Sequence, residues 1–376
     1  MGWSKYALLA AAALTSAGIS YGLVHWLRSF ALKRGIVDLP GGRKIHRGPV
    51  PLLGGVGIVG SVLLGLVAAL VALHLLGGIP SVASHFPSYP DWRSRLQAAS
   101  PKLIGLLVGA LLIFALGLID DLRKGHLDYR SKFPPQFLAA SVAVASGIRT
   151  QLMPGELLDV VVSLLWIVGI TNAFNLIDNM DGQAAGVAAI SGLALSILTI
   201  SQNQDYVAFS LALLVGACAG FLPHNLHPAK IFMGDAGSLT IGFLLGCSTI
   251  QASYIDVKSP TFVPVIAPVL VFSVPIFDCA SVLYIRWREG RPLFVGDRRH
   301  FSHRLVDFGM SEKEAVFFIY LVEASVAMGA LLLPRLTWAG CLVVFVQTAV
   351  LYGLLTILMT VRKNREGNSK ESQAGR

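Results

Sequence analysis

The sequence predicts an all-α, polytopic integral membrane protein with about 11 transmembrane helices and active-site loops on the cytoplasmic side, and three observations carry that expectation. The first is composition: 54% of the 376 residues are hydrophobic, 14% are charged and the mean hydropathy is +0.67, where a soluble domain carries roughly a quarter charged residues. The second is that the apolar residues gather into runs of about 20, the length of one helical span. These runs are 6–27, 54–76, 102–119, 135–149, 155–171, 184–200, 206–222, 237–252, 262–284, 314–333 and 337–361. The third is the placement of the cations. The alternate loops that start with 28–53 hold about 23 of the 30 Lys and Arg residues, and the positive-inside rule puts that set in the cytoplasm. The N-terminus then faces outward, residues 1–361 form one multi-pass domain, and the basic tail 362–376, which has no periodic apolar residues, is expected to be cytoplasmic and disordered.

The net charge of +9 is spread over short loops beside apolar runs, a pattern that orients helices, so no nucleic-acid partner is assigned. Cys218, Cys247, Cys279 and Cys341 are far apart and fall within apolar runs, as small buried hydrophobes do. The apolar stretch after Lys5 reaches Trp26, too long for a signal-peptide core, and reads as a retained first helix.

Taken in order, the first cytoplasmic loop contains DLPGGRKIHRGPVPLLGG, Asp38 to Gly55. Its Gly and Pro content exposes backbone N–H groups, and Arg43, Lys44 and His46 would suit a phosphate, although a basic loop can serve topology alone. The third run ends on Asp120 and Asp121, followed by LRKGHLDYRSKF with Lys124 and Lys132. Two neighbouring carboxylates at a membrane boundary repel each other and call for a cation or a proton. Pro134 and Pro135 stand where the fourth helix should start, a position that tolerates missing N–H groups. The fifth run opens into NAFNLIDNMDG, residues 172–182. If the helix continues through it, Asn172, Asn175, Asp178 and Asp181 share roughly one face, a set of oxygens that suits a hard cation and a polar ligand.

The next cytoplasmic loop reads PHNLHPAKIFMGDAGSLTIG, residues 223–242. Asp235 stands on a tight Gly-Asp-Ala-Gly turn, open to a ligand or acting as the N-cap of the eighth helix, and Phe232 can stack on an aromatic ring. Pro264, Pro268 and Pro275 should kink or break the ninth span. RWREGRPLFVGDRRHFSHR follows, with six arginines, Asp297, His300 and His303, a cationic group suited to a diphosphate.

Five motifs in order resemble one family: DLPGGRKIHRGPVPLLGG, GLIDDL followed by RSKF, NAFNLIDNMDG, PAKIFMGDAGS, and PIFDCASVLYIR leading into DRRHFSHRL. The chain is similar, over about residues 20–310, to the polyprenyl-phosphate N-acetylhexosamine-1-phosphate transferases of glycosyltransferase family 4. The first motif looks like the bacterial branch that loads GlcNAc-1-phosphate onto undecaprenyl phosphate, and less like the phospho-MurNAc-pentapeptide translocases. Two positions depart from the family pattern. Asn179 replaces a glycine of DGxDG, and Ser302 replaces a histidine of HxHH.

The resemblance implies a phosphotransferase of the inner (plasma) membrane that moves a HexNAc-1-phosphate, in the first instance GlcNAc-1-phosphate, from a UDP-sugar to polyprenyl phosphate and releases UMP. That is the first membrane step of cell-envelope polysaccharide synthesis, such as lipopolysaccharide or teichoic acid. The partners implied are the UDP-HexNAc, the polyprenyl phosphate lipid and the bilayer, and a homodimer is left open. The cofactor implied is Mg²⁺, with Mn²⁺ as an alternative, on Asn175 and Asp235. Catalytic roles fall to Asp120, Asp121, Asp178, Asp181, His300 and His303. Substrate contacts fall to Arg43, Lys44, His46, Lys124, Lys132, Asn172, Asn225, Phe232 and Arg291, with Phe232 and Asp181 placed at the uracil. Phospho-MurNAc-pentapeptide transfer, or transfer of another UDP-HexNAc, is the enzymatic alternative. A secondary transporter is the alternative from another class, but its sites lie near the midplane in symmetry-related repeats. Here the motifs lie at one face and no repeat is visible.

Overall fold

The computed structural model describes residues 2–38, 48–76, 89–123, 127–252, 254, 259–292 and 299–374, with side chains from 5 to 359 except 73, 74, 76, 89–93, 95 and 96. The chain is 81% helical. In order, the helices are α1 (Gly2–Arg34), α2 (Gly54–Leu76), α3 (Tyr89–Leu122), α4 (Tyr129–Ala145), α5 (Glu156–Ile177), α6 (Gln183–Ser201) and α7 (Asp205–Asn225). They continue as α8 (Gly234–Gln251), α9 (Ala267–Val271), α10 (Ser273–Arg288), α11 (Phe301–Asp307), α12 (Glu312–Leu332) and α13 (Trp338–Ala374). Two short strands, β1 (Val37–Asp38) and β2 (Val50–Pro51), pair antiparallel and are the only strands among the described residues. Arg43, Lys44 and His46, together with Lys124 and Asp297, lie outside the described residues.

Each of the eleven apolar runs is helical, but among the described residues eight helices are long and apolar enough to cross a membrane, or nine if α9 and α10 are one broken span. The other two runs are α4, with 17 residues, and α8, whose 18 residues begin Gly-Asp-Ala-Gly-Ser. The chain is a multi-pass membrane protein. The α13 helix runs on to Ala374, through the basic tail.

Local chemistry sets several boundaries away from the expected ones. Asp128 caps α4 by accepting the Ser131 N–H at 3.0 Å, so the helix starts well ahead of Pro134 and Pro135. The prolines therefore lie inside α4 and not at its start, because a good cap outweighs a position that merely tolerates proline. The expected break of the ninth run is present as a bend of 71° between α9 and α10. Pro264, Pro268 and Pro275 each fall in the first turn of a helical piece, where a missing N–H costs nothing.

Packing of α1 on α7 depends on small residues. A Cβ on Gly216 would lie 2.0 Å from the Ala13 carbonyl oxygen, and one on Gly220 would lie 2.2 Å from that of Ala17. This GxxxG ridge lets the α7 and α1 backbones touch, the form of helix association that works in lipid, where burial against a neighbour gains little. At one end of the bundle, the C-terminal ends of α3 and α5 meet the N-terminal ends of α4 and α8.

Candidate active site

The centre of that end is Lys132, on the first turn of α4. Its Nζ lies 2.7 Å from Asp120 Oδ2 and 2.6 Å from Asp235 Oδ2. Asp120, the last-turn residue of α3, also accepts the Leu127 N–H at 2.9 Å. Asn175 Nδ2 donates to Asp235 Oδ1 and to Ser238 Oγ, both at 2.9 Å. Four helices thus place an ammonium, two carboxylates and an amide in direct contact.

Asp121 does a different job. Its Oδ1 accepts the N–H of Asp235 at 2.8 Å and its Oδ2 that of Ala236 at 3.0 Å. The first-turn donors of α8 are therefore capped by a carboxylate from another helix, with the charge matched to the helix dipole. This corrects the expectation that Asp235 could cap α8: it is inside the first turn, and Asp121 holds that turn. The close approach requires Gly234, which has φ +70°, and whose Cβ would lie 2.5 Å from the Asp121 carboxylate.

The NAFNLIDNMDG segment is helical only to Ile177. Asp178 leaves helical geometry with ψ 57°, so the expected single face ends at Asn175. Asn172 turns instead to packing, donating to Gln136 Oε1 at 2.6 Å and to the Val168 carbonyl at 2.7 Å. The Asp178 carboxyl is pushed up to about 8, first by burial and then by the carboxylates of Asp235, Asp121 and Asp181. Asp181 Oδ2 lies 2.9 Å from His227 Nδ1 and accepts the Ala229 N–H at 2.9 Å; His227 Nδ1 is also 3.3 Å from Glu312 Oε2. The ligand atoms of Asp181, His227 and Glu312 lie within 4.8 Å of one another, and they fasten the segment to the turn after α7 and to α12. Asn225 is spent on backbone, accepting the Gly182 N–H and donating to the Ile231 carbonyl, both at 2.9 Å.

Phe232 is half-buried, with its backbone N–H donating to the Pro51 carbonyl at 2.8 Å and its own carbonyl accepting from Gly54 at 2.9 Å. The strand pair that closes the first loop therefore places this ring. His300 and His303 are buried. His300 Nδ1 lies 2.7 Å from Asp278 Oδ2, and the Phe301 N–H donates to Asp278 Oδ1. Ser302 Oγ donates to Asn179 Oδ1 at 2.5 Å. The two positions that depart from the family pattern thus touch each other. Arg291 is 55% exposed and pairs with Glu289 at 3.1 Å; no contact among the described residues links it to the Lys132 cluster.

Sequence reasoning missed Asp278, His227, Glu312 and Glu323. For two of them a signal existed: Asp278 and Glu323 are ionisable residues inside apolar runs, and each is 0% exposed.

The donors around Lys132 are all oxygens, with Asp120, Asp121, Asp178 and Asp235 close together and Lys132 the one cation paired to any of them among the described residues. Excess negative charge on hard oxygen donors fits a divalent cation of the Mg²⁺ or Mn²⁺ type. The Asn175 amide nitrogen is already used, which leaves Oδ1 as its acceptor for such an ion.

The glycosyl transferase family 4 model matches residues 103–253. A protein of Bacillus subtilis (strain 168) named "Probable undecaprenyl-phosphate N-acetylglucosaminyl 1-phosphate transferase" is 32% identical over 85% of this chain and 84% of its own. The decaprenyl-phosphate N-acetylglucosaminephosphotransferase of Mycolicibacterium smegmatis is 33% identical over 86% and 81%. A phospho-N-acetylmuramoyl-pentapeptide-transferase of Desulforudis audaxviator is 29% identical over 70% and 73%.

Proposed function

This chain belongs to glycosyl transferase family 4, and from that premise we propose that it transfers GlcNAc-1-phosphate from UDP-GlcNAc to a polyprenyl phosphate in the inner membrane. The observation that carries the reading is the contact of Lys132 with Asp120 and Asp235 while Asn175 holds the second Asp235 oxygen. Such a site handles phosphate charge at the end of a membrane bundle. It is not a midplane site between repeats, which is where a transporter would hold its cargo.

In the reaction an oxygen of the lipid phosphate attacks the phosphorus that bears the sugar. The bond from that phosphorus to the bridging oxygen breaks, and UMP leaves with the electron pair. One phosphoanhydride replaces another, so the protein's task is to align two anions and offset the charge between them. Asn175 and Asp235 would hold Mg²⁺ or Mn²⁺, which when bound neutralises and polarises the diphosphate. Lys132 supplies a fixed positive charge, and Asp120 keeps it aimed. Asp121 holds the first turn of α8, so that Asp235 presents its carboxylate at one place. Phe232 stacks on the uracil, Asp181 and the turn it fastens bound the nucleotide side, and His300 and His303 face the diphosphate and sugar. Arg43, Lys44, His46 and Lys124 line the phosphate approach, and the motif-bearing end faces the cytoplasm.

The test is incubation of membranes with radiolabelled UDP-GlcNAc and polyprenyl phosphate. Label in the organic-extractable lipid, dependent on Mg²⁺ and lost in EDTA, is the expected result. Vesicle uptake with no labelled lipid would make the protein a carrier instead. A panel of UDP-sugars in the same assay separates GlcNAc from UDP-MurNAc-pentapeptide.

A further inference from the structure

A membrane span broken at Phe272 leaves backbone groups that neither piece can satisfy. The α10 helix needs a partner for its Val274 N–H, and α9 needs one for its Val271 carbonyl. Lipid supplies none, so protein must. Glu323, in the middle of α12 and 0% exposed, provides it. Its Oε2 accepts the Val274 N–H at 3.3 Å, and its Oε1 lies 2.5 Å from Ser191 Oγ, which is itself 3.1 Å from the Val271 carbonyl oxygen. Ser191 has one hydroxyl proton and two acceptors. The set closes completely when position 323 offers a donor as well as an acceptor: Val274 N–H to Oε2, then Oε1–H to Ser191, then Ser191 O–H to Val271. Tyr352 of α13 adds a bond to Ser273 Oγ at 2.8 Å.

The bend so held aims the rest of the span at the candidate site. At the hinge the Phe272 ring meets Phe174, inside the NAFNLIDNMDG segment, edge-on at 5.6 Å. Asp278, on the second turn of α10, holds His300 and the Phe301 N–H. Ser281, a turn later, accepts from Arg304 Nη2 at 2.6 Å, and Ser302 reaches Asn179. Of the polar contacts at the break, the Glu323–Ser191 set reaches both pieces of the span, whereas the Tyr352–Ser273 bond reaches α10 alone.

We propose that Glu323 is a positioning residue for the transfer reaction: by joining the two halves of the broken span across Ser191 it sets the direction of α10, and through Asp278 the place of His300 and His303. This rests on the function proposed above. Its test has one readout that needs no substrate. With the four native cysteines replaced by alanine, spin labels at Trp287→Cys on α10 and Phe317→Cys on α12, both exposed sites, report the angle between the two helices in nanodiscs. Glu323→Ala should broaden the label distance distribution. In the unlabelled enzyme it should lower kcat by about tenfold or more while KM for the UDP-sugar stays within about threefold. Glu323→Gln, which keeps a donor and an acceptor, should leave both readouts within about twofold of the parent. If Glu323→Ala does not fold, Ser191→Ala, which removes the link to Val271, must give the same broadening. An unchanged distribution in the alanine variant, or a glutamine variant as impaired as alanine, overturns the proposal. A parent protein with no transfer activity overturns the proposed reaction alone, because the label distances still decide what Glu323 does.

Discussion

Around Asp235 the side chains of Asp120, Asp121 and Lys132 are each held by a helix terminus or by another charged side chain, whereas around His300 the functional groups hang from a helix that is itself one half of a broken span. Asp120, Lys132, Asn175 and Asp235 come from four helices whose ends converge, and Asp121 caps the turn that carries Asp235. The segment that carries His300 and His303 is tied by one buried carboxylate, Asp278, on His300 and the Phe301 N–H, and by the Ser302–Asn179 and Arg304–Ser281 contacts. A site built from helix ends tolerates little change at any member. A segment attached by a few side-chain bonds can shift without loss of its chemistry, and so is where substrate preference can be adjusted. Substitutions should therefore divide into large and small effects along this line.

The largest effect is expected at Asp235. Asp235→Ala removes a proposed cation ligand and leaves Lys132 with one partner, and turnover in detergent should fall at least about 100-fold, or roughly 3 kcal/mol of barrier. A variant that keeps a tenth of the parent rate would move the centre of the site elsewhere. Next comes Asp121→Asn. The amide can accept one of the two α8 N–H groups but meets the other with an N–H of its own, a loss of about 1 to 3 kcal/mol. Turnover and the melting temperature should fall together. A loss of activity at unchanged melting temperature would mean that Asp121 acts on substrate and not through α8.

Phe232→Ala comes third. A base stacked on an aromatic ring gains roughly 1 to 3 kcal/mol, so KM for the UDP-sugar should rise about tenfold with KM for the lipid little changed. Equal rises in both would remove Phe232 from the uracil. The pH dependence comes fourth. Asp178 keeps its proton to about pH 8, where an ordinary aspartate loses it near 3.8. Its ionisation works against the fold, so this contribution to stability falls as pH rises through that window. A cation entering the cluster must displace the proton below about pH 8. Its apparent affinity should climb with pH, by up to about tenfold per unit, and level off above 8. Activation by Mg²⁺ measured from pH 6.5 to 9 checks this, and Asp178→Asn should flatten the curve.

The smallest effects belong to the attached segment. Asn179→Gly and Ser302→His should each cost about fivefold in turnover, the worth of one hydrogen bond of about 1 kcal/mol. Made together they should cost less than the product, because the two positions face each other. Strictly multiplicative losses in this cycle would show that the contact carries no coupling.

The length and apolar content of the runs determined the helices, since a chain of this hydropathy has no other way to satisfy its backbone in lipid. Proline placement likewise foretold the broken ninth span. The motifs named nearly every residue of the Lys132 cluster, because charge at the edge of an apolar run is costly and has to serve something. What each carboxylate does was beyond the sequence. Asp120 and Asp121 are adjacent and alike in the chain, yet one holds an ammonium and the other caps a helix 114 residues away. Their side chains leave α3 in different directions and meet different neighbours, and only packing supplies those neighbours. In the same way Asn172 and Asn175 share a face of α5, but Gln136 claims the first and Asp235 the second. The chain by itself determined which residues are polar at which membrane edge. The tertiary structure decided their partners, because hydrogen bonds between distant segments depend on helix approaches that glycines at 216, 220 and 234 permit and no local pattern encodes.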